Sequence, residues 1–500
     1  MRVLQRVALI TAIALVSSAH IGSPDVWFDG MAGPYKVLVH VVAPPVVPGI
    51  ATINVRAAEP GIMRVSAFVN KFDATGGTPP PDVAEPLPDN ASWYRTRLWV
   101  MSPGSNSVTV MVKGARGDGT VVVPLVAVPG RRLEFTGTLT GLLIVVGSIL
   151  ALGLFTIVGA TVREGVLPPG AEPDAPRRRR ARFAMARAVV VLALLITGTA
   201  AWWRSEDSEF RRRLFRPLSI ATSVDTSAGR SRLAFTITDS IWAHRGDVAW
   251  LRARRIGQPT SLIEDHGKLV HLFLISFDGR SVFAHLHPTT SDTVTFSAPL
   301  PVLPGGPYRV FADIVQESGM TQTLTSTITL PNHTGPVNPE KIDADDSWAG
   351  GRGGQPDATG HSVRFDDGTV LAWARDRAPL TAGEEADLRF AVTPPAGDTA
   401  ALEPFLGMAG HAVVVRDDGN VFIHLHPLGT ISLAAQAQLS KSAPTATVHA
   451  MDETLGAPDS LYFPYAFPQP GSYTVWVQIK RHGRVLTGSF PADVKAAIAP

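Results

Sequence analysis

The 500-residue chain contains no cysteine. That absence excludes disulfides, Cys-ligated zinc, iron–sulfur clusters, c-type haem, blue-copper thiolates and cysteine nucleophiles. Charge is sparse, at 18% of residues, and balances to +2, so there is no electrostatic case for nucleic acid as a partner. The Walker, G-x-S-x-G and H-E-x-x-H patterns are missing too, and with them the usual signatures of phosphoryl transfer, serine hydrolysis and zinc proteolysis. What is plentiful is turn chemistry, with 45 Gly and 41 Pro in a chain that is 45% hydrophobic. Such a composition suits turn-rich β modules together with membrane segments, and the length implies three or four units.

The membrane segments are readable. Residues 1–19 (MRVLQRVALITAIALVSSA) have the basic start, short apolar run and small-residue end of a secretory signal peptide, with an uncleaved anchor as the alternative. Residues 135–162 carry no charge and predict a first transmembrane helix; residues 183–203 predict a second, with Arg187 free to snorkel and Trp202-Trp203 at the far interface. The connection, 163–182, holds RRRRAR (177–182) and reads as a cytoplasmic loop, although Arg211, Arg212, Arg213 and Arg216 crowd the opposite end. The signal peptide therefore sets the expected topology: a two-span protein of the inner or plasma membrane, with both flanking regions outside.

Those regions read as β modules. Residues 20–130 show short β runs (YKVLVHVV, ATINVRA, SVTVMVKG, GTVVVPLVAV) broken by Pro and Gly, the pattern of an antiparallel sandwich. Residues 215–331 and 361–495 look like two copies of one fold, joined by a Gly/Pro-rich linker over 332–360. LAFTI (233–237) matches LRFAV (388–392), HLFLISFDGRSVFAHLHP (271–288) matches HAVVVRDDGNVFIHLHP (411–427), and PGGPYRVFADI (304–314) matches QPGSYTVWVQI (469–479). The expected fold is mainly β: three immunoglobulin-like antiparallel β-sandwich domains plus two transmembrane helices.

The repeated hairpin concentrates histidine. Asp418-Gly419 between β runs favours a two-residue type I′ turn, which sets His411 opposite His426 and Val413 opposite His424. The first copy has one extra residue, Arg280; a three-residue loop absorbs it and sets His271 opposite His287. Alternation then gathers His271, His285 and His287 on one face, and His411, His424 and His426 on the equivalent face. Apolar residues on both faces indicate strands buried on both sides, where a lone His is usually a core residue with a backbone partner. Three converging imidazoles, present twice, favour a shared metal, because a buried ring without a partner costs ~1–3 kcal/mol. Copper is the preferred ion for imidazole-only ligation outside the cytoplasm, with zinc as the alternative. Secondary candidates are His266, Met408, His449 and Met451, near the hairpins, and His20, which signal cleavage would expose.

The HGKLVHLFLI…FAHLHP and GMAGHAVVV…FIHLHP segments resemble extracytoplasmic, membrane-anchored bacterial proteins with immunoglobulin-like sandwiches, loosely the YtkA-like/CopC-like copper-associated group. The resemblance covers about 215–495 and implies binding or movement of copper in the envelope, with a possible envelope protein partner. In CopC-type sites the mature N-terminal His is a ligand; here that would be His20, with His40 the one further ligand in sight. The expected function is metal sequestration, delivery or sensing, without turnover. One rival is a cupin-like metal-dependent oxidoreductase, since Gly279-x5-His285-x-His287 fits the start of that motif, but the nearest acid is Asp292 and Pro299 stands where the motif has Gly. The other is a structural or assembly module of the envelope without metal.

Overall fold

The computed structural model describes residues 20–21, 25–74, 77–129, 135–168, 170–212, 214–226, 231–253, 258–332, 343–350, 357, 360–375, 378–441, 443, 445–447 and 460–497. The expected signal peptide, His449 and Met451 lie outside them. The protein is mainly β, and its described residues up to Ala127 and from Pro217 onward form one compact unit, with Val128–Arg216 as a second.

The second unit is a pair of antiparallel helices, Gly137–Glu164 and Ala175–Arg212. Both are long and apolar enough to cross a membrane. Gly159 faces the Met185 side chain, and a Cβ there would stand 2.7 Å from the Met185 sulfur, so that flexible side chain would have to shift. The RRRRAR run is not a loop: it forms the first turns of the second helix, where Asp174 accepts from the Arg177 amide at 2.9 Å. Arginine is a good helix former, and no Pro or Gly interrupts 177–182.

The N-terminal module is one eight-stranded antiparallel sheet, running from Asp25–Ala32 to Gly117–Ala127 and folded over a core of Phe28, Val39, Ile53, Val110 and Val123. It docks on the last module through 427–432. The Asp29 amide donates to Leu428 (3.0 Å), the Trp27 amide to the Thr430 hydroxyl (3.0 Å), and Ile431 joins the N-terminal core.

The two His-bearing modules share one architecture. Each has a four-stranded sheet facing a six-stranded sheet across an apolar core. In the first, Leu233, Phe235 and Phe296 face Leu272, Leu274 and Val310. In the second, Leu388, Phe390 and Phe463 face Ala412, Val414 and Val475. The repeat extends to detail: Tyr308 donates to Pro304 and Tyr473 to Gln469, each at 2.7 Å and each four residues back.

The segment expected to be only a linker contributes structure. Ser347–Gly350 adds a strand to the first module's six-stranded sheet, beside Val282–Leu286. His20–Ile21 adds the equivalent edge in the second, parallel to Val421 and Phe422. The six-stranded sheets face each other, so Phe273, Ile275, Phe283 and Phe311 of the first module pack against Val413, Val415, Phe422 and Trp476 of the second.

Candidate metal centre

The site begins with two hairpins. Their β-branched and aromatic strands alternate strictly: Leu272, Leu274, Ala284 and Leu286 point into the first module's own core, as Ala412 and Val414 do in the second. The intervening residues point outward to the facing module. Both strands are therefore buried on both sides.

The register follows the turn lengths. Phe273 stands opposite His285 and Leu272 opposite Leu286; Val413 stands opposite His424 and Ala412 opposite Leu425. The second turn is wider than a two-residue type I′. Gly419 donates to the Arg416 carbonyl at 2.7 Å and occupies the left-handed region (φ 75°), whereas Asp418 does not. Asp418 keeps a negative φ, and its carboxylate accepts from the Asn420 amide at 2.9 Å.

Because the His faces point away from their own cores, they meet. The expected set of the first module, His271, His285 and His287, is brought together, but the two three-His sets are not separate sites: they adjoin in one contiguous centre at the junction. Ring centroids lie 5.4 Å apart for His271–His285, 5.3 Å for His271–His287 and 4.6 Å for His285–His287. They lie 5.3 Å apart for His411–His424, 5.1 Å for His411–His426 and 4.6 Å for His424–His426. His424 also approaches His271 (5.3 Å) and His285 (5.5 Å), joining the sets.

His266, a secondary candidate in the sequence, is a full member. It lies 5.9 Å from His271, 5.4 Å from His411 and 4.7 Å from His426. It comes from the first module yet forms its tightest set with His411 and His426 of the second. In that set it takes the place expected for His424. Its turn closes by reciprocal bonds between Asp265 and Lys268 (2.9 and 3.1 Å), as the second module's does between Phe405 and Met408 (2.8 and 3.1 Å). His266 and Leu406 occupy equivalent left-handed positions (φ 55° and 52°). The seventh histidine thus breaks the pseudo-symmetry of the centre at a backbone conformation that costs a side chain energy, a common feature of functional positions. Met408 sits where Lys268 sits in the first module.

The hydrogen bonds fix how the rings are held. His271 Nε2 faces the Asp265 carbonyl (3.1 Å), His285 Nδ1 the Gln478 amide oxygen (3.0 Å) and His287 Nδ1 the Asp346 carboxylate (2.9 Å). Oxygens of these kinds accept, so each of those nitrogens carries the proton. The opposite nitrogens, His271 Nδ1, His285 Nε2 and His287 Nε2, are left with lone pairs directed at one another. His271 Nδ1 and His285 Nε2 stand 3.1 Å apart. Two nitrogens bound to one ion at ~2.0–2.1 Å in tetrahedral geometry stand about 3.3 Å apart. The three outer acceptors are of the kind that orient metal-bound imidazoles.

In the second set His426 Nδ1 donates to the Ile431 carbonyl (3.0 Å). Among the described residues, seven ring nitrogens are buried without a partner: both of His266, both of His411, and Nε2 of His287, His424 and His426. Unpaired buried groups on this scale are rare in folded proteins. Burial, then repulsion from neighbouring rings, pushes His271, His285, His411 and His424 well below the ordinary imidazole range, and burial takes His426 to about 4. All five are neutral at pH 7, the form that binds metal. Asp313, 3.6 Å from His424 Nδ1, is pushed up to about 7 by burial, against the lowering effect of its Thr323 hydrogen bond.

Among the described residues, two groups of three histidines could hold a metal ion: His271, His285 and His287, and His266, His411 and His426. The acceptors Asp265, Asp346 and Gln478, and Asp313 beside His424, were not singled out from sequence. Only the acid run D-A-D-D (343–346) and the Asp next to His266 offered a signal. Asp292 is elsewhere, accepting from the Val294 and Thr295 amides at 2.8 Å each, so the acid a cupin would use is committed to a turn. His40 stacks on Trp27 at 4.0 Å with Asp25 at 3.2 Å on its Nε2. His20 pairs with Val421, three residues from His424 along the strand, or about 10 Å.

Residues 362–496, essentially the second His-bearing module, match the model of a domain of unknown function, DUF8832. No curated protein matches the chain significantly. Among solved structures it is similar to an engineered protein, at 20% identity over 19% of this chain and 21% of that one, with a TM-score of 0.15. It is also similar to dimeric latent PorU from Porphyromonas gingivalis, at 8% identity over 95% of this chain and 34% of that one, with a TM-score of 0.16. A third is Salmonella alpha-2-macroglobulin reacted with methylamine, at 9% identity over 95% and 24%, with a TM-score of 0.19. The chain thus spans well under two thirds of the length of each. Likenesses at these scores carry no argument about fold or function.

Proposed function

We propose that the protein is a membrane-anchored metal-binding protein that holds transition-metal ions, copper foremost, in the seven-His centre between its two sibling modules. The observation that carries the reading is the set of lone pairs turned inward on one another while the outer nitrogens donate to fixed acceptors. An all-imidazole donor set without thiolate suits Cu(II) ahead of Zn(II) in intrinsic affinity. The role is sequestration, delivery or sensing on the extracytoplasmic side, with the two helices as anchor. A metal-free structural cluster is the weaker reading, because burying so many unpaired ring nitrogens costs ~1–3 kcal/mol each with no return.

The test is metal content of the purified full chain after Cu(II) loading and buffer exchange. The expected result is two equivalents for the wild type. His266→Leu, which installs the residue found at the equivalent position of the second module, should retain one, and His285→Ala should likewise lose the other set. Full retention in both variants would overturn the reading.

A further inference from the structure

The centre is buried, with His285 and His411 wholly out of solvent, so a metal ion needs a route inward. The loop preceding the Ser347–Gly350 strand offers one. Its carboxylates step from half-exposed to buried, with the Asp343 side chain 29% exposed and that of Asp346 1%. Asp346 Oδ1 accepts from both the amide (2.8 Å) and Nδ1 (2.9 Å) of His287, a member of the first triad. Asp346 Oδ2 is buried with no partner, and so is His287 Nε2. Asp343 lies 4.0 Å from His287 Nδ1, the nitrogen that donates to Asp346, so both carboxylates stand at the outer edge of that ring while its lone pair faces the triad.

The outer carboxylate is meanwhile occupied by a cation. Lys268 Nζ donates to both oxygens of Asp343 at 2.7 Å and lies 3.6 Å from Asp345, which also binds Lys480 at 2.9 Å. An incoming divalent ion can displace the single charge of Lys268 from Asp343, and a second acceptor for that ammonium is already in place on Asp345. Beyond Asp343, the more deeply buried Asp346 and His287 each keep an unused lone pair, at Oδ2 and Nε2. Hard carboxylate ligands at the mouth strip hydration from the ion in stages, which lowers the desolvation barrier to an all-imidazole interior.

We propose that Asp343, Asp346 and His287 form a capture site through which a divalent transition-metal cation is loaded into the His centre, with Lys268 as the cationic plug on its outer carboxylate. This rests on the metal-binding reading above. Asp343 serves the rate of loading and not the final occupancy, because it belongs to neither triad.

Stopped-flow loading of the detergent-solubilised full chain with Cu(II), followed by the ligand-field absorption of the bound ion, tests this. Asp343→Asn should slow loading at least tenfold with unchanged final stoichiometry, Asp343→Glu should restore most of the rate, and Lys268→Ala should speed it several-fold. Loading by Asp343→Asn and Lys268→Ala at the wild-type rate would overturn the inference while leaving the metal centre intact. A wild-type chain that takes up no ion would overturn both.

Discussion

At the scale of the residue, the centre depends on which ring nitrogen carries a proton. Five of its histidines have acid-shifted pKa values because a cation is costly in a dry, ring-lined pocket. The folded state therefore cannot take up protons that the unfolded chain binds from about pH 6.5 downward. The stability these rings contribute is full above that pH and is lost as it falls towards about 4, the value for His426. Each such ring contributes up to ~1.4 kcal/mol per pH unit across that window. Asp313 works the other way: held protonated to about 7, it contributes stability below about pH 4 that is lost as pH rises to 7. With five groups against one, the urea midpoint of the metal-free protein should fall steadily from pH 7 to 4.5. A midpoint that rises on acidification would contradict the neutral-ring assignment. Histidine identity at this scale was legible in the sequence. The groups beside the rings were not, because Gln478 and Asp313 come to His285 and His424 from the facing module, and no local pattern encodes a contact between two sheets.

At the scale of the element, the hairpins are held together by two kinds of contact of very different weight. Trp476 is buried against Phe283, with centroids 5.1 Å apart, and donates to the Gly279 carbonyl at 3.3 Å. Arg280 pairs with Asp417 at the tips of the two hairpins, where half of the arginine side chain remains exposed. Truncating a buried Trp costs ~3–5 kcal/mol, whereas an exposed ion pair is worth ~0–1 kcal/mol. Trp476→Ala should therefore lower the urea midpoint sharply, and Arg280→Ala should barely move it. Equal effects would mean that charge, not apolar packing, joins the modules. Hairpin register was readable because side-chain period and turn length fix it. The turn itself was not, because the Asp418 carboxylate takes the Asn420 amide, which a type I′ turn would pair with the Asp417 carbonyl. Of the segment taken as a linker, residues 343–350 build an edge strand and part of the site, and too short a run for periodicity hid that.

At the scale of the whole molecule, duplication explains the centre. Two sandwiches of one design each bury one face of a hairpin in their own core and leave the other, with its histidines, for the sibling. The second face is not complete alone: His266 of the first module belongs with His411 and His426 of the second. The internal repeat was visible in the sequence, but matching segments do not state that the copies face each other, and so the centre was read as two sites. Binding should couple the modules, since an ion bound only by the folded state at a hundredfold excess over its Kd adds ~2.7 kcal/mol of stability. X-ray absorption at the copper edge of the loaded full chain tests the central claim most directly. The account predicts an inner shell of nitrogen at about 2.0 Å with imidazole outer-shell scattering, and no sulfur. A sulfur shell, or a spectrum of hydrated ion without imidazole scattering, would contradict it.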